Sequence, residues 1–289
     1  MSVTVIGDAF IDIILPVPNI EPGGTYHHAI HTFCGGSATT AINITRLGEK
    51  ASFLGRVGDD AMGKYFRENL KENKVKDMTI TDSDRRTGLC VAMTYPDGER
   101  SMVADRGAND SLCAQDIADR INAIARSGMV YLSGYSLARM DTEETLAVLK
   151  RCRERGGELW FNPGAPNMVT ASLNRTIYQF FDAVIMNFDE ARNFAGTDNL
   201  PEMAAALEPV ARLIVITTGR EGCLIIRAGQ RVAIGTRAVP GVRDTTGAGD
   251  AFSAGFMVGR LRHLPDTECA RLANRTAALF LKEKERLSR

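Results

Sequence analysis

Apolar and polar positions along the chain change period in an ordered way. Residues 3–6 and 10–15 are short apolar runs, the first ended by Gly7-Asp8 and the second closed by Pro16 and Pro18, and they predict two strands. Residues 19–33 mix Gly, Pro and His with little period, whereas 37–47 carries helix-compatible spacing, so Gly35-Gly36 is expected where a loop turns into a helix. A strand over 51–54 and an amphipathic helix over 60–73 follow, the latter with Met62, Phe66 and Leu70 spaced four apart. Residues 87–94 alternate, break at Tyr95-Pro-Asp-Gly98 and run back over 100–104, which predicts a hairpin.

From Gly128 onward short apolar runs alternate with helical stretches. Strands are predicted over 129–132, 159–161, 183–186 and 213–217, and helices over 141–155, near 171–181 and over 201–210. Alternation at that spacing predicts an α/β fold: a doubly wound, mainly parallel sheet with helices on both faces. Such a sheet binds ligands at the carboxyl ends of its strands. The tail reads as a hairpin over 223–234, a helix from near Gly247 and a last helix over about 267–287. Two extended pieces, near 10–33 and 86–105, stand outside the alternation. They predict a small β-sheet lid inserted in one domain spanning 1–289.

Composition narrows the function classes. The 289 residues carry 35 basic and 35 acidic side chains, so no overall field draws nucleic acid or an anionic membrane. No apolar run reaches the roughly 18 residues a membrane span needs, and the N-terminus lacks a basic leader. The six cysteines are scattered without C-x-x-C pairs, which fits reduced thiols. A cytoplasmic protein is expected.

Candidate chemistry concentrates in 242–256, Val-Arg-Asp-Thr-Thr-Gly-Ala-Gly-Asp-Ala-Phe-Ser-Ala-Gly-Phe. Small residues there bring backbone amides close to a ligand just as a helix begins, and a helix N-terminus with open N–H groups attracts anions. Phosphoryl transfer needs positive potential on the migrating group and a base beside the attacking hydroxyl; Gly247, Ala248 and Gly249 with Asp250 supply both within four residues. Asp250 as a plain helix N-cap is the alternative. The segment is not a Walker A loop, since no Gly-Lys-Ser/Thr follows, and no G-x-G-x-x-G follows the first strand to signal a dinucleotide. Asn187-Phe-Asp-Glu190 has the spacing of a helix capping box.

The segment from Asp244 to Gly255 closely resembles the C-terminal signature of the ribokinase-like (PfkB) family of carbohydrate and nucleoside kinases, D-T-x-G-A-G-D-x-F. Gly35-Gly36-Ser-Ala-Thr-Thr-Ala-Ile-Asn-Ile-Thr-Arg-Leu-Gly48 resembles the family's N-terminal signature, and Gly55-Arg-Val-Gly-Asp-Asp-Ala-Met-Gly63 the element after it. The resemblance implies an ATP-dependent kinase that phosphorylates a hydroxymethyl group on a small sugar or sugar derivative. Asp250 would be the base, and the amides of Gly247, Ala248 and Gly249 an anion hole. It also implies magnesium ordered through water by Glu190 of the N-x-x-E element with Asn187, and nucleotide contacts from Thr217, Gly219, Gly222, Thr245 and Asn274. The acceptor would meet Asp12, Gly35, Gly36, Thr40 and Arg106. Asp244 and Thr246 match a monovalent-cation loop, which brings potassium into consideration, although the chain lacks the glycine segment that completes that site.

Three departures fall at the acceptor end: Phe10 stands where ribokinase has Asn, Ser37 where it has Lys, and Thr40 where the signature has Asn. Phe10 and the missing Lys keep a nucleoside kinase open as the alternative, with a non-catalytic sugar or nucleotide binder behind it. Asn162-Pro-Gly-Ala-Pro166 looks like the N-P-x-x-P stretch of ribokinases and leans toward a pentose or nucleoside. His27, His28 and His31 cluster in the expected lid, where contact with solvent or substrate is a better reading than metal binding. Exposed lid strands would also pair two chains, so a homodimer is expected.

Overall fold

The structure is a computed structural model and describes residues 1–16, 30–95, 100–164, 175–242 and 244–287. The predicted alternation becomes a nine-stranded sheet among the described residues. Its spatial order is Gln230–Ile234, Cys223–Arg227, Leu213–Thr217, Ala183–Asn187, Glu158–Asn162, Met129–Ser133, Ser2–Ile6, Lys50–Leu54 and Lys76–Asp77. The two strands of the 223–234 hairpin add antiparallel, and the rest pair parallel. Strand order reverses between Ser2–Ile6 and Met129–Ser133, the kind of switch point at which doubly wound sheets bind ligands.

The near-continuous apolar runs are explained by burial on both faces. Val3, Val5, Tyr131, Trp160, Ile185 and Val215 point into one core, and Ile6, Leu132, Phe161, Val184 and Ile214 into the other, in strict alternation along each strand. On the first face Phe256 of the helix Ala248–Leu261 packs on Trp160, with ring centroids 6.0 Å apart. That helix lies between the helices Ala38–Arg46 and Asp266–Leu287. Asp60 caps the helix Ala61–Glu72 by accepting from the Gly63 amide, which places the predicted start within one residue.

The extended pieces outside the alternation form a separate four-stranded sheet, ordered His31–Gly36, Ala9–Pro16, Gly88–Thr94, Arg100–Asp105. Gly35-Gly36 therefore ends a strand rather than a loop, because 31–36 finds a partner in Ala9–Pro16 that local period could not reveal. The tip Pro96-Asp-Gly98 and His27 and His28 lie outside the described residues, as do Ala165 and Pro166 and the first four positions of the stretch expected to be helical near 171–181. Arg175–Tyr178 is helical within that stretch. The strands Arg56–Gly58 and Ile80–Asp82, paired with each other, are too short to show a period and were not expected. No helix among the described residues is long and apolar enough to cross a membrane.

Candidate active site

The helix Ala248–Leu261 packs against Ala38–Arg46, which follows the small sheet directly in the chain. Gly247 caps it in the left-handed region, φ 84°, and a Cβ there would stand 2.8 Å from the Phe280 ring. Glycine is thus required twice, by conformation and by space. Asp250 is not the N-cap; it sits in the first turn of the helix. The space a Cβ would fill at Gly249 is open, so a ligand can approach the amides of that turn.

Thr40, fully buried on Ala38–Arg46, donates from Oγ1 to Asp250 Oδ1 at 2.9 Å. Burial pushes the Asp250 carboxyl up to about 6, and the bond from Thr40 restrains the rise. Tyr131, buried in Met129–Ser133, hydrogen-bonds the side chains of Ser253 and Thr40; its hydroxyl is pushed above its ordinary range by burial first and by Asp250 second.

Asp12 stands opposite. Its carboxyl is raised to about 7, mainly by burial, with Lys284 pulling it down and Asp250 and Asp244 pushing it up. It nests against Gly35, where an added Cβ would lie 2.0 Å from Oδ2. Gly35→Ala is therefore expected to swing the Asp12 carboxylate aside; with Asp12 as the acceptor contact the resemblance implies, the acceptor KM rises roughly tenfold or more and the ATP KM holds, as displacements of about 1 Å do. Initial-rate kinetics with each substrate varied in turn check this.

At the switch point Asp8, two residues after the first strand, accepts two bonds from Arg106, at 2.8 and 2.9 Å, and one from Ser136 Oγ at 2.6 Å. Arg106 also donates to Asp110, so the side chain expected to face substrate is already held by two carboxylates. Asn109 pins the same turn by bonding both the N–H and the C=O of Ala9. This clamp ties the small sheet to the large one. A buried Asp two residues after a strand was the available signal for Asp8, but its partner is 98 positions away.

Asn187 and Glu190 form the anticipated capping box: Asn187 Oδ1 accepts from the Glu190 amide, and both Glu190 oxygens accept from Asn187. Glu190 is pushed up to about 7 by burial, and beyond that by Asp250 and Asp189, against bonds from Asn187 and Asn162. A buried carboxyl so short of positive charge suits a hard cation held through water and phosphate oxygens. Among the described residues no group of three His, Cys, Asp or Glu is arranged to hold a metal by itself.

Thr217 ends its strand in register with Asn187, and the turn through Gly219 to Gly222 begins beside it. Asn274 is buried, and its amide makes long contacts, 3.5 and 3.4 Å, to the carbonyls of Ile234 and Gly235. Thr245 is exposed on the loop before Gly247. Asp244 and Thr246, where the resemblance implies a monovalent cation, already surround a charge: Lys284 Nζ lies 2.6 Å from Asp244 Oδ2 and donates to the Thr246 carbonyl at 3.0 Å. A potassium ion does not fit beside that ammonium. Lys284 was readable only as a charged residue near the chain end, and Tyr131 only as core.

Contacts and fields thus bring Asp12, Gly35, Thr40, Glu190, Asp244 and Asp250 around one site. The pfkB family carbohydrate kinase profile matches residues 1–286. A mouse (Mus musculus) ribokinase is 29% identical over 95% of this chain and 86% of its own length, and a Klebsiella pneumoniae fructokinase 28% identical over 93% and 88%. The crystal structure of an adenosine kinase from Sinorhizobium meliloti superposes with a TM-score of 0.85 at 26% identity, covering 96% of this chain and 92% of that one. The chain belongs to the pfkB family of carbohydrate kinases, phosphotransferases with an alcohol group as acceptor.

Proposed function

We propose that the protein transfers the γ-phosphoryl group of ATP to a hydroxymethyl group of a small sugar or sugar derivative, with Asp250 as general base. The observation that carries this is the placement of a half-buried carboxyl, raised to about 6, in the first turn of a helix whose Gly249 faces open space, with the Asp12 carboxyl close enough to feel its charge. Asp12 would accept hydrogen bonds from two acceptor hydroxyls. Asp250 would take the proton of the reacting hydroxyl as its oxygen attacks the γ-phosphorus and ADP leaves, while the amides of Gly247, Ala248 and Gly249 face the charge that develops. Magnesium, ordered through water by Glu190 and Asn187, would neutralise phosphate charge. Thr217, Gly219, Gly222, Thr245 and Asn274 would line the nucleotide side.

The four-stranded sheet would act as a lid that keeps water from competing as acceptor. Its outer strand exposes Met102 and Val103 and offers a surface for a second copy of the chain. A cytoplasmic setting suits the free cysteines.

A nucleoside acceptor is the second reading. The half-buried Phe10 ring, packed against Gly36 and Gly88, would stack on a base, and the adenosine kinase likeness supports this reading. An ADP-release screen over pentoses, hexoses, keto-deoxy sugar acids and nucleosides separates the two, and turnover of at least one sugar-type acceptor is expected. Binding of such ligands with no ADP release would replace the kinase by a non-catalytic binder.

A further inference from the structure

We infer that Lys284 is a built-in cation for the loop that leads into the Asp250 helix, so that the protein needs no monovalent metal ion there. The ammonium sits on the two groups the sequence resemblance assigned to such an ion, Asp244 Oδ2 at 2.6 Å and the Thr246 carbonyl at 3.0 Å. The other Asp244 oxygen accepts from the Thr246 amide at 2.8 Å, which closes the turn on itself. Both charged side chains are about nine-tenths buried, with 10% and 11% exposure for Lys284 and Asp244. Burying either charge alone is strongly unfavourable, whereas a short, hydrogen-bonded pair is tolerated. The Phe33 ring lies 5.9 Å from Nζ and adds a face suited to a cation.

The helix Asp266–Leu287 delivers this group from the far end of the chain. Ala273, Ala277, Phe280 and Lys284 recur at helix spacing along one face, and Phe280 meets the turn at Gly247 while Lys284 meets Asp244 and Thr246. One helix therefore sets both sides of the loop 244–247, and with it the direction in which the amides after Gly247 point. The field of Lys284 also reaches Asp12 and lowers its pKa against the push of burial. Lys284 is thus a positioning residue that acts through Asp244 and Thr246 on the anion-binding turn, and its role in turnover rests on the phosphoryl transfer proposed above. A second cation on the same two oxygens would meet the ammonium at contact distance, which excludes it electrostatically.

The test compares chloride salts of potassium, sodium and tetramethylammonium at constant ionic strength, on wild type and on Lys284→Ala, by turnover and by thermal unfolding. Wild-type turnover and midpoint are expected to change less than about twofold and 1 °C between the salts. Lys284→Ala is expected to lose about tenfold or more in kcat with a smaller change in KM for ATP. It should recover in part with potassium but not with tetramethylammonium, and potassium alone should raise its midpoint, as specific binding to the folded state does. Strong potassium activation of the wild type, full activity of Lys284→Ala in tetramethylammonium, or absence of any potassium effect on the variant overturns the inference. If Lys284→Ala fails to fold without added salt, folding restored by potassium and not by tetramethylammonium supports it. Failure to fold in every salt, with Lys284→Ala/Asp244→Asn folded and indifferent to potassium, overturns it. The thermal arm stands even if no acceptor is turned over, so failure of the kinase assignment and failure of the cation assignment are told apart.

Discussion

Asp250→Asn is expected to lower kcat by about 10³-fold, within the 10²–10⁴ range that a positioned general base contributes, with both KM values nearly unchanged. Asn keeps the shape and can still accept from Thr40 Oγ1, the bond that holds Asp250 at 2.9 Å, but it cannot take a proton. Stability should move the other way. Because burial raises the folded pKa of Asp250 from 3.8 to about 6, the wild-type fold favours the protonated form, and that advantage is lost as pH rises from about 4 through 6. The variant should therefore melt at the same temperature as wild type or a few degrees higher above pH 6, and the gap should close toward pH 4. A residue that served only the helix terminus would show the reverse, a small stability loss and an intact kcat. In the wild type kcat/KM should fall as pH drops through about 6–7, a limb that belongs jointly to Asp250, Asp12 and Glu190, since the latter two both feel the Asp250 charge. Coupled ADP-release kinetics and thermal unfolding across pH 4–8 measure both effects.

Asp12→Ala is expected to lower kcat/KM for the acceptor by about 10²–10⁴-fold, mostly through KM, because the two hydrogen bonds proposed from substrate hydroxyls to a charged acceptor are worth about 1.5–3 kcal/mol each. The ATP KM should hold. The fold should not suffer: Asp12 is raised to about 7 by burial, with Asp250 and Asp244 adding to the push and Lys284 opposing it. Its charged form thus costs stability above pH 7, and that cost disappears in the variant. Loss of acceptor binding together with a kept or raised melting temperature at pH 8 would mark Asp12 as a residue held for ligand. An unchanged acceptor KM would remove it from the site.

The two variants exploit different parts of one cluster. Asp250 reaches its place through a turn of four residues, and the sequence alone puts Gly247, Ala248 and Gly249 beside it. Asp12 reaches its place because Ala9–Pro16 pairs with His31–Gly36 and leaves Gly35 room for a carboxylate where a side chain would clash. The capping box at Asn187 and Glu190 was legible because both members lie within one helical turn. Thr40 was legible only as a departure from a signature; that it bonds Asp250, 210 positions away, depends on the packing of Ala38–Arg46 against Ala248–Leu261. That Asp8 holds the Arg106 guanidinium from one side and Asp110 from the other was not legible, since Asp8 lies 98 positions away.

What the sequence determined by itself is therefore what short range controls. Period and turn chemistry set the alternating strands and helices, and the seven residues from Asp244 to Asp250 put the amides of a helix start and a carboxyl within one turn of each other by sequence proximity alone. Only the tertiary structure decided which charges face each other. Asp8 with Arg106, Thr40 with Asp250, and Lys284 with Asp244 are separated by 98, 210 and 40 positions. Their meeting follows from strand order and helix packing, which are settled by burial of the two cores rather than by any local pattern. Burial also sets the pKa values of Asp12, Glu190 and Asp250, because the cost of an unpaired charge depends on the water removed around it.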